Sequence, residues 1–129
     1  EGCPSTMQAA KRLNKKLGLK NIIYVNGNFD QKLSEVLDCN ENIDFVYFDG
    51  NHTKEATKEY FNMCMSKINE NTIFVFDDIN WSKEMHECWE EIKSDNRVSL
   101  SIDLYKLGLV FFHSIKIKSD YQLRNRLIF

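Results

Sequence analysis

Short apolar runs separated by amphipathic stretches constrain the fold of this 129-residue chain more than any other feature. Runs such as "IFVF" at residues 73–76 lack the polar alternation of a strand with one solvated face. The stretches at residues 53–68 and 82–92 repeat apolar side chains at helical spacing. Strands that are apolar on both faces are typical of a parallel sheet with helices on both sides.

The order of these patterns predicts an α/β fold. Two further helices are expected at residues 3–18 and 29–37, with a β-branched strand at residues 22–26 between them. The alternating residues 98–104 and the run at 109–117 predict a closing hairpin, and the polar tail after it predicts a solvated edge strand and terminus. The predicted class is a doubly wound, mostly parallel, Rossmann-like sheet with a C-terminal antiparallel hairpin. No linker divides the chain, so residues 1–129 are predicted to form a single domain.

Composition excludes several classes of function. The formal net charge of -2 and pI of about 5.9 give no electrostatic footprint for nucleic acid. The longest apolar stretches have strand length, which argues against a membrane span. Four cysteines lie singly along the chain, a spacing that argues against a zinc site and favours the reduced thiols of a cytoplasmic protein.

Carboxylates close two successive apolar runs. Asp49 follows the run at residues 44–48, and Asp77 and Asp78 follow the next. Ligands of open parallel sheets bind beyond the carboxyl ends of the strands, and consecutive strands are usually neighbours, so we expect the three carboxylates to meet. Adjacent negative charges repel one another, and an all-oxygen set suits Mg²⁺ or another divalent cation. The alternative is that each Asp caps a helix or closes a turn.

His52 stands three residues after Asp49, at the same predicted edge. Its imidazole could accept a proton from a substrate hydroxyl. The alternative is that it caps the helix that starts near Thr53. Trp81, just past Asp78, is the better candidate for a lid than Trp89, which is predicted to be core.

With Asp49, Asp77 and Asp78 in these positions, the chain resembles the class I S-adenosylmethionine-dependent methyltransferases. The resemblance is closest to small-molecule O-methyltransferases of the catechol and macrocin types, and "LGLVFF" looks like their final strand pair. It implies that the three Asp side chains hold a metal, and that a methyl group passes to an oxygen of a small-molecule acceptor. The catechol branch carries a Lys base where this chain has His52, so the resemblance implies the position of the base and not its identity.

The resemblance also implies where S-adenosylmethionine binds. Glu1 matches the acid that hydrogen-bonds the ribose hydroxyls, with Gly2 after it, and Asp49 is also expected near the cofactor. Gly27, Asn28 and Phe29 resemble the adenine-side segment, the alternative being an ordinary turn. The family's Gly-rich G-x-G-x-G turn is absent from the sequence. We therefore expect a partial methyltransferase domain, with N-terminal strands missing before Glu1.

The missing strands would lie between residues 22–26 and 44–48 in the family's sheet order. Their absence leaves bare strand edges. Three arrangements could fill the gap: a segment upstream of Glu1, a second chain in a homodimer, or direct pairing of the two remaining strands.

Two rival functions stay open from the sequence. In a metal-independent methyltransferase of the same fold, the carboxylates would contact the cofactor's amino group or the substrate. The chain could also be a non-catalytic Rossmann-like fragment or interaction module, since it lacks the Gly-rich turn.

Overall fold

The computed structural model describes residues 2–114 and 117–124, and the chain divides into two compact units, Glu1–Cys39 and Asn40–Phe129. The first unit contains helix α1, Pro4–Lys16, and helix α2, Phe29–Asp38. Pro4 lies in the first turn of α1, where a helix tolerates proline. Gly18 follows the end of α1 with φ +71°, the left-handed conformation that glycine adopts readily.

The predicted strand at residues 22–26 is wrong. The segment carries no strand, and all five strands of the sheet come from residues 45–122. A strand exists only as part of a ladder, so a β-branched sequence cannot form one by propensity alone. The segment instead contacts α1, because the Tyr24 hydroxyl accepts a hydrogen bond of 2.7 Å from Asn14 Nδ2. Lys11 Nζ also lies 5.2 Å from the centre of the Tyr24 ring.

The second unit contains the sheet, which confirms the α/β, Rossmann-like class. Within the described residues its order is β1-β2-β4-β3-β5. β1 is parallel to β2, β4 is antiparallel to both of its neighbours, and β5 is parallel to β3. The strands are β1 Phe45–Phe48, β2 Ile73–Phe76, β3 Leu100–Asp103, β4 Gly108–Phe111 and β5 Ser119–Gln122.

The pairing of the strands tests three predictions. β3 and β4 form the predicted hairpin, and β5 is the solvated edge strand predicted for the tail. In the described part of the chain β1 pairs only with β2, so direct pairing with residues 22–26 is wrong. A homodimer that completes the sheet stays a prediction.

Two helices cover one face of the sheet. These are α3, Lys54–Cys64, continued by the 3₁₀ turn Met65–Lys67, and α4, Lys83–Ser94. Thr53 caps α3 by accepting the Ala56 N–H, and Ser82 caps α4 by accepting the Met85 N–H. His52 is therefore not the cap of α3.

Aromatic side chains fill the core between these helices and β2. Phe76 stacks on Phe48 with ring centres 4.5 Å apart and lies 6.1 Å from the Trp89 ring. Trp89 packs directly on the backbone of Gly108, where a Cβ would come within 2.7 Å of the indole. In the described ranges, no helix combines the length and apolar character needed to cross a membrane.

The strand registers align one row of residues across one end of the sheet: Phe48, Phe76, Gly108, Asp103 and Gln122. β1, β2 and β3 run in the same direction, so the loops that follow them all emerge at this end of the sheet. We call these loops, residues 49–53, 77–82 and 104–107, the rim.

Candidate functional site

Asp49 and Asp77 follow neighbouring strands at the rim, as the sequence predicts. The Asp77 N–H donates to the Phe48 carbonyl at 2.9 Å, which continues the parallel ladder one step past the strand ends. The two Asp residues therefore occupy adjacent positions.

Tyr47 of β1, which the sequence patterns did not single out, interacts with the carboxylates of the rim. Burial raises the pKa of the Tyr47 phenol, and the negative charges of Asp77, Asp49 and Asp78 raise it further. Asp77 has the largest effect among the three carboxylates, and it also acts on the phenol through a hydrogen bond. The available signal was the alternation along β1, which puts Tyr47 two residues before Asp49.

The structure gives the predicted divalent cation no support. The Asp78 N–H donates to Asp77 Oδ1 at 3.0 Å, which orients that carboxylate. Among residues 2–114 and 117–124, no three or more acidic, His or Cys side chains form a group that could hold a metal ion. The arrangement of Asp49, Asp77 and Asp78 therefore does not support the metal site.

His52 and Asp49 form the pair with the clearest chemistry. His52 Nε2 lies 3.5 Å from Asp49 Oδ1, and 29% of the His52 side chain is exposed. This distance is too long for an ordinary hydrogen bond, but a protonated imidazole would be attracted to the carboxylate. The pair can accept a proton from a bound ligand and stabilise the resulting cation.

The rim also concentrates the unusual backbone conformations of the described chain. Three residues other than glycine have positive φ: Asn51 at +48°, Asp78 at +50° and Tyr105 at +74°. One lies in each of the three rim loops. Such conformations cost about 1–3 kcal/mol each and cluster at ligand-binding sites.

A cavity of about 170 Å³ opens between two of these loops. We call it the rim pocket; it is lined by Asp78, Asn80, Trp81, Tyr105 and Lys106. The Asn80 amide donates to the Tyr105 carbonyl at 2.6 Å, and the Ile79 N–H donates to the Lys106 carbonyl at 3.1 Å. These bonds hold the two walls at a fixed separation. Trp81, predicted as a lid residue, is 72% exposed.

The first unit brings together part of the predicted cofactor segment. A Cβ built on Gly2 would lie 3.9 Å from the Gly27 carbonyl oxygen, so the two glycines are close although 25 positions apart. Gly27 has φ +147°, which side chains rarely adopt. Asn28 precedes α2 as its N-cap, and Glu1 lies outside the described residues.

A small apolar cavity of about 150 Å³ adjoins this turn. Gly27 and Phe29, both predicted to lie on the adenine side, are among its walls. The full lining is Val25, Gly27, Phe29, Lys32, Leu33 and Val36.

The chain is similar to known methyltransferases. The model of a family described as a methyltransferase domain matches residues 2–79. The crystal structure of the SAH-bound methyltransferase PaMTH1 from Podospora anserina is similar, with a TM-score of 0.71 and 14% sequence identity. The similarity covers 87% of this chain and 58% of that chain, so this chain spans less than two thirds of the solved structure. A comparison with curated protein sequences found no match.

Proposed function

The chain belongs to the methyltransferase-domain family, and on that premise we propose that it transfers a methyl group from S-adenosylmethionine to a small-molecule acceptor. The observation that supports the site of transfer is the His52–Asp49 pair at the carboxyl end of β1, within the residues that match the family. Ligands of open α/β sheets bind at this end of the strands.

We propose a hydroxyl oxygen as the methyl acceptor, as in the O-methyltransferases that the sequence resembles. S-adenosylmethionine, when bound, supplies a methyl group that its sulfonium makes electrophilic. His52 would take the hydroxyl proton on Nδ1, the ring nitrogen that does not face Asp49, as the acceptor oxygen is methylated, and the cofactor would leave as S-adenosylhomocysteine. Asp49, 3.5 Å away, stabilises the imidazolium that results.

The cofactor's adenine side is proposed to contact Gly27, Asn28 and Phe29, and Gly2 is proposed to contact the cofactor beside the ribose. The cavity beside Gly27 is about 150 Å³. Pockets for whole ligands usually measure about 300–1,000 Å³, so this cavity would take only one ring. Glu1 is proposed to hold the ribose hydroxyls.

The carboxylate geometry favours the metal-independent version of this function. Among the described residues the carboxylates form no group that could hold a metal ion, and Asp77 interacts with the Tyr47 phenol. Asp49, Asp77 and Asp78 would then contact the cofactor's amino group or the acceptor directly.

Two measurements on the purified protein test the proposal. Calorimetry with S-adenosylhomocysteine should show saturable binding, and radiolabelled S-adenosylmethionine should label at least one member of a panel of small hydroxylated acceptors. Binding with labelling only of amine or thiol acceptors would contradict the oxygen assignment. Absence of both binding and labelling would favour the non-catalytic interaction module.

A further inference from the structure

One wall of the rim pocket depends on an uncommon backbone conformation. Tyr105 has φ +74°, and its side chain is 58% exposed. A bulky residue rarely adopts positive φ, and such a conformation persists only where surrounding contacts enforce it. The contacts of Tyr105 therefore decide the shape of this wall.

Asp103, the last residue of β3, supplies one of these contacts. Its Oδ1 accepts the Tyr105 N–H at 2.8 Å, and its Oδ2 accepts the Trp89 indole N–H at 3.3 Å. Only 1% of the Asp103 side chain is exposed. A carboxylate this deeply buried requires a cation beside it.

Arg124 is the cation that contacts Asp103. Its Nη1 lies 2.6 Å from Asp103 Oδ1 and its Nη2 lies 3.3 Å from Oδ2, a two-pronged geometry that lysine cannot reproduce. The guanidinium carbon also lies 5.6 Å from the centre of the Tyr105 ring. Arg124 thus contacts Tyr105 at its ring and, through Asp103, at its backbone N–H.

The pKa of Asp103 is consistent with its contact with Arg124. Burial alone would raise the pKa of Asp103, but hydrogen bonds from Arg124 and from the Tyr105 N–H bring the pKa below its ordinary value. The carboxylate therefore stays ionised and continues to hold the Tyr105 backbone at neutral pH.

We propose that Arg124 is a positioning residue for the rim pocket, which fixes Tyr105 through Asp103 so that Tyr105 and Trp81 hold the flat part of the methyl acceptor. Two aromatic walls favour a planar, unsaturated group, and Asp78 and Lys106 offer one charge of each sign to its polar edge. This inference rests on the proposed function.

The tail offers a matched control. Lys118 Nζ donates to the Asp95 carbonyl at 2.7 Å and so also anchors the segment that carries β5, but at the opposite end of the strand from Tyr105. Lys118→Ala removes one polar anchor of the tail and leaves the Asp103 contacts in place.

Steady-state kinetics separate positioning from anchoring. Arg124→Ala should raise the KM for the acceptor about tenfold with little change in kcat or in the dissociation constant of S-adenosylhomocysteine. Arg124→Lys should give an intermediate KM, since it keeps the charge and loses the two-pronged contact. Lys118→Ala should leave all three quantities unchanged. An unchanged KM in Arg124→Ala, or an equal rise in Lys118→Ala, would overturn the inference.

A spectroscopic readout keeps the inference testable even if no acceptor is methylated. The chain has two tryptophans, so its indole N–H groups give two NMR signals. Arg124→Ala should shift the Trp89 signal, because its partner Asp103 loses a cation, and also the Trp81 signal across the pocket from Tyr105. Lys118→Ala should shift neither. A shift of Trp89 alone would show that Tyr105 is held without Arg124 and would contradict the proposal.

Discussion

His52 Nε2 and Asp49 Oδ1 face each other across 3.5 Å at the end of β1, a charge pair whenever the imidazole is protonated. If His52 accepts the hydroxyl proton, His52→Gln should lower kcat about 10²-fold or more and leave S-adenosylhomocysteine binding intact. His113→Gln is the control, because His113 follows β4 at the end of the sheet opposite the rim and stacks on Phe111. Equal kcat values in the two variants would remove His52 from the mechanism.

Metal removal tests the carboxylates. We expect methyl transfer to be unchanged after treatment with EDTA and gel filtration, because Asp49, Asp77 and Asp78 form no group suited to a cation. Asp49→Asn should lower activity to the same extent with and without added Mg²⁺. Activity that disappears with EDTA and returns with Mg²⁺ would restore the metal-dependent mechanism.

Acid should weaken the contact between α3 and α4. Glu91 of α4 pairs with Lys54, at 2.7 Å, and with Lys58 of α3, and hydrogen bonds from these two lysines lower the pKa of Glu91 from 4.5 to about 2. In that interval the unfolded chain binds more protons than the folded one, so stability falls as the pH drops from about 4.5 to about 2.

The urea midpoint measured across this interval should therefore decline, and Glu91→Gln should make the decline shallower. Glu70→Gln, in the exposed turn before β2, provides the control. A decline of the same slope in wild type and Glu91→Gln would assign the acid sensitivity to other carboxylates.

Gly108 is a close-packing position rather than a turn. A Cβ there would lie 2.7 Å from the Trp89 indole, and Trp89 is almost fully buried. Gly108→Ala should lower the free energy of unfolding by about 1–3 kcal/mol, as overpacking does in other cores. In a double-mutant cycle with Trp89→Leu, the combined loss should be smaller than the sum of the single losses. Strict additivity would mean that the indole is not the obstacle.

Local sequence patterns predicted the elements that form between residues close in sequence, namely helices, a helix cap and a hairpin. Helices α3 and α4 follow from their apolar spacing, and the Ser82 cap from a hydroxyl one residue before the helix. The β3–β4 hairpin follows from alternation on both sides of a short turn. The segment at residues 22–26 has an equally good strand composition and forms no strand, because composition does not supply a pairing partner.

The rim shows where such reasoning stops. Topology alone predicts that Asp49 and Asp77 lie near each other, since both follow parallel neighbouring strands. The orientation of their oxygens depends on loop hydrogen bonds such as Asp78 N–H to Asp77 Oδ1, which no periodicity encodes. Arg124 is brought to Asp103 by the pairing of β5 with β3, a contact between residues 21 positions apart.

The strained backbone at Asn51, Asp78 and Tyr105 lowers the stability of the protein, while their side chains shape the rim. Glycine accepts positive φ without strain, so a protein engineer seeking a higher melting temperature would choose these three positions for replacement. Each replacement would also delete a side chain from one of the loops at the carboxyl ends of the strands. In this protein, the substitutions that would most readily raise the melting temperature would also remove side chains from the candidate site.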